Sequence, residues 1–332
     1  MFISNNAWNQ TLNQIPHDIY HRAEYVEADA LSVNQDASPL LYLNNHFAIP
    51  LVARSINSDF WDATSPYGYG SPLSLDTPSS NTASKCFQDV IDEFANAGCV
   101  SLFVRMHPFL DSSIESSSVV TFDEPAATTW MDLKVNENER LLTLRRDHRR
   151  AVRLAREFGV KIHKDLNFRY LDEFIFYYSE TMNRLGAQSR YYFSREYFLR
   201  ILIGLAPNAS LFVATVNSEF AAGAIISNVG TVSQYHLSAT NTRFLDTHAM
   251  KLLLFEAAND LSRNGLEVFH LGGGLGGSDD SLFKFKAGFS DSRASFQTAR
   301  IICNPDEYNR LVSERPNDAP DTSFFPEYRA PM

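Results

Sequence analysis

Two lysines, Lys284 and Lys286, alternate with phenylalanines in the run FKFKAGF at 283–289, a few residues after five glycines crowded into 272–277. Glycine reaches backbone conformations closed to other residues and carries no side chain. Gly272, Gly273 and Gly274 therefore let main chain come close to a ligand or to another segment. His236, in YHLSA, belongs to the side-chain class that titrates near neutral pH, and Tyr235 beside it faces the other side of an alternating strand. Arg184 precedes a loop bearing Arg190, Tyr191 and Tyr192, a set that suits a groove for a polar, anionic ligand and suits a helix core as well. Between 140 and 164 the chain holds nine cations (Arg140, Arg145, Arg146, Arg149, Arg150, Arg153, Arg156, Lys161 and Lys164) against Asp147 and Glu157. This stretch reads either as a solvated helix face or as a landing strip for the phosphates of RNA or of a nucleotide-linked substrate.

Several chemistries are excluded. The chain has no Ser-His-Asp order, HExxH or Walker A loop. The glycine run is followed by Ser-Asp-Asp rather than by a helical run, unlike the dinucleotide fingerprint. Cys86, Cys99 and Cys303 are odd in number and far apart, so neither a zinc site nor a disulfide framework is expected, and they read as packing residues. No metal and no bound cofactor are expected. At 332 residues the chain exceeds the usual single-core domain, so two domains are expected. Its 44% hydrophobic and 20% charged content is that of a soluble globular protein. A net charge of −10 argues against a general nucleic-acid coat. MFISNNAWNQ has no basic region leading into an apolar run, and no later stretch has the length of a membrane span, so a cytoplasmic protein is expected.

The elements that must position these residues follow a repeated order. Residues 39–54 predict two strands around the turn Asn44-Asn45, and 59–69 a further extended segment. A Pro/Ser/Asn/Thr stretch at 72–83 leads to a helix over Ser84 to Ala97, with Phe87, Val90, Ile91 and Phe94 on one face, and then to a strand over Val100 to Met106. The same β-β-β-α-β order returns. A meander covers 210–240 with turns at Asn217-Ser218 and Gly230, a helix covers 249–263 and stops at Asn264-Gly265, and a strand at 266–271 enters the glycines. An internal duplication follows. Helices are also predicted over 141–158, ending at Gly159, and over about 168–185.

The ordered fragments SPYGYGSPL (65–73), VSLFVRMHP (100–108), RRDHRRAVRLAREFGV (145–160), TMNRLGAQSRYYF (181–193), YHLSATNTRFLDTHAMKLLLFEAA (235–258) and FHLGGGLGGSDDSLFKFKAGFS (269–290) resemble the Fem/ABX-type (FemAB-like) branch of the GNAT acyltransferase superfamily. The resemblance implies an α/β fold of two tandem GNAT-like (acyl-CoA N-acyltransferase-like) halves, mixed sheets with helices on both faces. The expected division is a degenerate first domain at 1–140, a second domain with the donor site at 141–312 and a C-terminal tail at 313–332. It also implies transfer of an acyl group to an amine. In the best-known members the donor is an aminoacyl-tRNA and the acceptor a peptidoglycan precursor peptide, while relatives use acyl-CoA or other amines.

Amide formation requires loss of a proton from the attacking ammonium, stabilisation of a developing oxyanion and return of a proton to the leaving group. By resemblance, Lys286 matches the position associated with the aminoacyl end of the donor, where a fixed ammonium would hold the terminal phosphate or the oxyanion. Phe285, Gly272, Gly273 and Gly274 would shape the same donor pocket, and Lys284 would share its face if the segment is a strand. His236 is the candidate for proton transfer. Tyr235, Arg184 and Tyr192 occupy positions implied to contact the acceptor. Asp62, Tyr67 and Tyr69 fall in the segment implied to border a cleft between halves, and Arg105, with His107, closes the first-half strand. Acyl-CoA enzymes carry a glycine-containing pyrophosphate loop after the strand that matches 231–240, whereas this chain reads NTRFLDTHAMK, leaving Arg243 to hold a single phosphate. That departure and the basic segment favour charged tRNA as donor partner, with an amine-bearing precursor as acceptor. The alternatives are an acyl-CoA or acyl-carrier-protein-dependent N-acyltransferase acting on an amino-sugar or natural-product amine, and a catalytically inactive precursor-binding module.

Overall fold

The computed structural model describes residues 3, 5–33, 36–76, 80–110, 112, 114–315 and 324–330. They form two compact units, one of Met1–Pro125 with Phe296–Met332 and the other of Ala126–Ser295. In the first unit, strands Ala37–Leu43 and Phe47–Ser55 pair antiparallel across a turn that Asn44 builds by accepting the amides of His46 and Phe47 at 2.8 and 2.7 Å. Strand Trp61–Thr64 follows. Helix Ser80–Asn96 then crosses over to strand Cys99–Arg105, which lies parallel to Trp61–Thr64. Phe87, Val90, Ile91 and Phe94, spaced as one helix face, are buried against Tyr42, Phe47, Leu102 and Val104.

The second unit repeats this order. Strands Ala209–Val216, Glu219–Val229 and Val232–Thr240 form an antiparallel meander, and helix Ala249–Arg263 crosses to Val268–Gly272, parallel to Val232–Thr240. Asn217 and Ser218 both take positive φ, the geometry of a tight two-residue hairpin. One face of the sheet is covered by helices Arg146–Glu157 and Ala249–Arg263, through Val152, Leu253 and Phe255 on Phe212, Ala224 and Phe269. Helix Leu171–Leu185 carries an aromatic group, Phe174 and Tyr178, packed with Phe198. The two mixed sheets with crossover helices match the expected tandem α/β architecture.

Four expectations are corrected. The single helix at 141–158 is two, Glu137–Thr143 and Arg146–Glu157, because Leu144 is extended and the Arg145 amide leaves the helix to donate to the Gly288 carbonyl at 2.9 Å. The extended segment at 59–69 is a strand only at Trp61–Thr64, before Gly68 bends the chain at φ 113°. The segment with Lys284 and Lys286 is a helix, Ser281–Ala287, so the glycine run does lead into a short helical turn and the two lysines diverge around it. The units also divide at 125/126 rather than 140, and residues from 296 onward belong to the first unit, since strand Thr298–Ile302 inserts between Cys99–Arg105 and Val120–Phe122. The expected tail at 313–332 lies partly outside the described residues. Its described turn Glu327–Arg329 is tied to the first sheet, with Tyr328 donating to Asp62 at 2.9 Å.

Candidate active site

Strand Val268–Gly272 ends where Gly272 turns the chain at φ 80°. A side chain on Gly273 would meet the Ala127 carbonyl at 2.8 Å, and one on Gly274 the Ser278 carbonyl at 2.0 Å. Glycine is required by packing. Asp280 then starts the helix, one carboxylate oxygen accepting the Phe283 amide at 2.8 Å and the other reaching back to the Leu275 amide at 2.9 Å. This doubly anchored turn aims Lys286 backward, and its Nζ donates to the Gly273 carbonyl at 2.7 Å. The same ammonium lies 5.9 Å from the centre of the Tyr235 ring. Burial lowers its pKa to about 8, opposed by the negative charge of Asp280.

Tyr235 donates to Ser238 Oγ at 2.6 Å, and burial raises its pKa to about 12, with the Ser238 bond pulling the other way. That contact spans three residues, which a regular strand would place on opposite faces. A bulge explains it: Ile225 pairs with Leu237 and Ile226 with Tyr235, so His236 is the extra residue. Tyr235 and Ser238 thereby share the face of Lys286, while His236 turns away toward the aromatic helices, its Nε2 lying 3.1 Å from the Tyr197 hydroxyl. The two expected catalytic residues thus lie apart, Lys286 against the Tyr235 face of strand Val232–Thr240 and His236 on its other face.

The other expected contacts disperse. Phe285 packs with His148 and Phe289, at ring separations of 5.8 and 5.4 Å, and helps wall the Lys286 side. Arg243 lies in the short helix Thr242–Thr247, beyond the end of strand Val232–Thr240; it is exposed and pairs with Glu219 at 3.3 Å. Arg184 is exposed in the last turn of helix Leu171–Leu185, and Tyr192 donates to Asn183 at 3.0 Å.

In the first unit Asp62 is buried and saturated, accepting Arg54 Nε at 2.7 Å, the Tyr328 hydroxyl and Arg329. Tyr67 is fixed through its backbone, donating to Asp29 at 2.9 Å and accepting from the Tyr25 hydroxyl at 2.6 Å. Asp29 itself is pushed up to about 6 by burial. Tyr69 packs edge-on against Tyr20 and Phe296. Arg105 lies over the Phe103 ring at 5.4 Å, and its amide donates to Ser65 at 3.0 Å. His107 forms a buried pair with Asp18 at 2.7 Å.

Sequence reasoning missed His148, Asp280 and Ser238. Asp280 had a legible signal, an Asp three residues before Phe283 at a helix start. His148 had a weaker one, its spacing with Ala151, Val152 and Ala155 on the buried helix face. Ser238 had none, since only the bulge brings it to Tyr235.

Residues 143–284 match the family described as an acetyltransferase (GNAT) domain. Residues 143–284 thus carry a GNAT-type acyltransferase domain, and the chain as a whole has a Fem-like fold. Among solved structures, FemX aligns at 14% identity with a TM-score of 0.68, covering 93% of this chain and 98% of FemX. The C-terminal domain of an Agrobacterium fabrum protein named as a lysylphosphatidylglycerol synthetase aligns at 16% identity and TM-score 0.56, covering 92% and 94%. A conserved protein of unknown function from Bacteroides thetaiotaomicron aligns at 11% identity and TM-score 0.61, covering 90% and 99%. A search of curated proteins gives no match. The GNAT match spans the Tyr235 strand, the glycine run and the start of the Lys286 helix. Among the described residues no group of side chains could hold a metal, and no helix is long and apolar enough to cross a membrane.

Proposed function

We propose that the protein transfers an aminoacyl group from a charged tRNA to the amine of a cell-wall precursor, the peptidoglycan-bridge type of reaction. The observation that carries this reading is Lys286, a sequestered ammonium held by the Gly273 carbonyl above Tyr235. In the proposed reaction its positive charge meets the negative charge that develops on the ester carbonyl oxygen, or the terminal phosphate of the donor. Tyr235, un-ionised at neutral pH and bonded to Ser238, forms the floor of the pocket and keeps the cation in place. The attacking amine arrives as an ammonium and must lose a proton; donor ester cleavage returns one to the ribose hydroxyl.

The donor preference is supported by the segment after strand Val232–Thr240. There Arg243 is committed to Glu219, and Asn241 caps a short helix where an acyl-CoA enzyme would present glycine amides to a pyrophosphate. A structural relative named for a lysylated lipid is consistent with aminoacyl chemistry on this fold.

The test is a transfer assay on purified protein with charged bacterial tRNA, mixed acyl-CoA and acylated carrier protein, each offered with amine-bearing envelope precursors. Incorporation abolished by RNase supports the reading. Incorporation from either thioester, with none from tRNA, overturns it.

A further inference from the structure

We propose that His148 is a positioning residue for Lys286, fixing the end of its helix through the Phe285 carbonyl, and that the full set of contacts requires a proton on both ring nitrogens. The proposal rests on Lys286 serving the transfer reaction.

Helix Ser281–Ala287 is only seven residues long, so its last carbonyls lack partners within it; the Gly288 amide donates to the Phe285 carbonyl at 3.2 Å and the Phe289 amide to the Lys286 carbonyl at 3.0 Å. The start of the basic helix adds further donors. Arg145 Nη1 approaches the Lys284 carbonyl at 3.4 Å, His148 Nε2 donates to the Phe285 carbonyl at 2.9 Å, and the Arg145 amide donates to the Gly288 carbonyl at 2.9 Å. The expected landing strip for phosphates thus begins as a clamp on the segment that carries Lys286. Cations at a helix C-terminus are also favoured by its dipole.

The imidazole has no slack. It is 1% exposed, packs edge-on to Phe289 at 4.8 Å, and would lie 2.2 Å from any side-chain carbon on Gly288. Lys286 follows Phe285 directly in the helix, so movement of the Phe285 carbonyl carries the ammonium away from Gly273. Displacements of about 1 Å at a reacting group can cost on the order of 100-fold in rate.

Both partners of the ring are acceptors. Nδ1 lies 3.1 Å from the Asp147 carboxylate and Nε2 2.9 Å from the Phe285 carbonyl, whereas a neutral imidazole owns a single N–H. The charged groups facing it are Asp147 and Arg145 on its own side and Lys251 from helix Ala249–Arg263, 3.8 Å from Asp147. Burial is the largest influence and Lys251 adds to it, both opposing the imidazolium; Asp147 and the Phe285 carbonyl favour it, and the net shift is downward. Near neutral pH the ring therefore holds one proton. It belongs on Nε2, because Asp147 already accepts two bonds from Arg145 and the Phe285 carbonyl has no other side-chain donor in this clamp.

The test reads the acidity of Lys286 without substrate, by competitive acetic anhydride labelling across pH and mass spectrometry of the full chain. The parent midpoint is expected near 8. His148→Ala should free the helix end, hydrate the ammonium and raise the midpoint by one unit or more toward the ordinary lysine range. His148→Gln keeps an N–H donor and should hold the parent midpoint. In transfer assays His148→Ala should lower kcat at least tenfold with KM changed less than twofold. A parent-like midpoint in folded His148→Ala, or an equal rise in His148→Gln, overturns the proposal. If His148→Ala does not fold, Gly288→Ala displaces the same ring, and a parent-like midpoint there overturns it as well. Imidazole nitrogen NMR should show the Nε2–H form at neutral pH and both nitrogens protonated in acid; an Nδ1–H form is contrary. Because labelling needs no donor, this result is independent of whether tRNA proves to be the donor.

Discussion

Strand Trp61–Thr64 of the first unit and strand Val232–Thr240 of the second hold the same place in the same order of elements, yet charge near them is handled in opposite ways. In the first, buried Asp62 is met by two arginines and a tyrosine, and Asp18 by His107. Each buried carboxylate is met locally by donors, and such pairs hold structure together. In the second, a nine-residue strand is bulged at His236, and the cation beneath it donates to a neutral carbonyl rather than to a carboxylate. A cation held this way keeps its field available to an incoming anion, at the cost of a lowered pKa. The difference separates a scaffold from the proposed reaction site within one repeated architecture.

Breaking the comparison at its functional end should have the largest effect. Lys286→Ala is expected to lower kcat by roughly 100- to 1000-fold, the scale for losing one charge-stabilising donor, while circular dichroism stays that of the parent. A parent-like rate would place the reaction elsewhere. Gly274→Ala, whose added carbon would sit 2.0 Å from the Ser278 carbonyl, should displace the same turn and cost about 1–3 kcal/mol in thermal unfolding, with a matching loss of transfer.

The pH profile sharpens the role. If the ammonium form acts, kcat/KM is full below the Lys286 pKa and falls about tenfold per unit as pH rises past about 8. A rise through the same pH would instead make Lys286 the proton acceptor. At the structural end, Asp62→Asn should leave turnover per folded molecule unchanged but lower stability by about 2 kcal/mol in urea unfolding, since Arg54 and Arg329 would lose their buried counter-charge. The smallest effect is expected from His236→Gln, below about threefold in kcat, because His236 faces away from Lys286.

Much of this division was legible in the residues. The helix at Ala249–Arg263 has the expected bounds, and the turn at Asn217-Ser218 and the repeated β-β-β-α-β order follow from apolar periodicity and turn chemistry, both local signals. Lys286 is singled out by the position its motif matches, and Tyr235 by the position it matches in the same resemblance. The choice between Tyr235 and neighbouring His236 was not legible, because simple alternation cannot reveal a bulge. Asp62 is expected as a substrate contact from the resemblance, and its pairing with Arg54 and Arg329, 8 and 267 residues away, is not visible in the sequence.

The sequence alone determined the two meanders, their crossover helices and strands, the order of these elements and a glycine turn before the Lys286 segment, since these depend on each residue's own backbone and on neighbours a few positions away. Only the tertiary structure decided which charges are spent on one another and which is left facing a carbonyl. It broke the basic helix at Leu144 so that Arg145 and His148 could grip a segment nearly 140 residues distant. Burial and pairing depend on contacts between remote segments, and those exist only once the chain has packed.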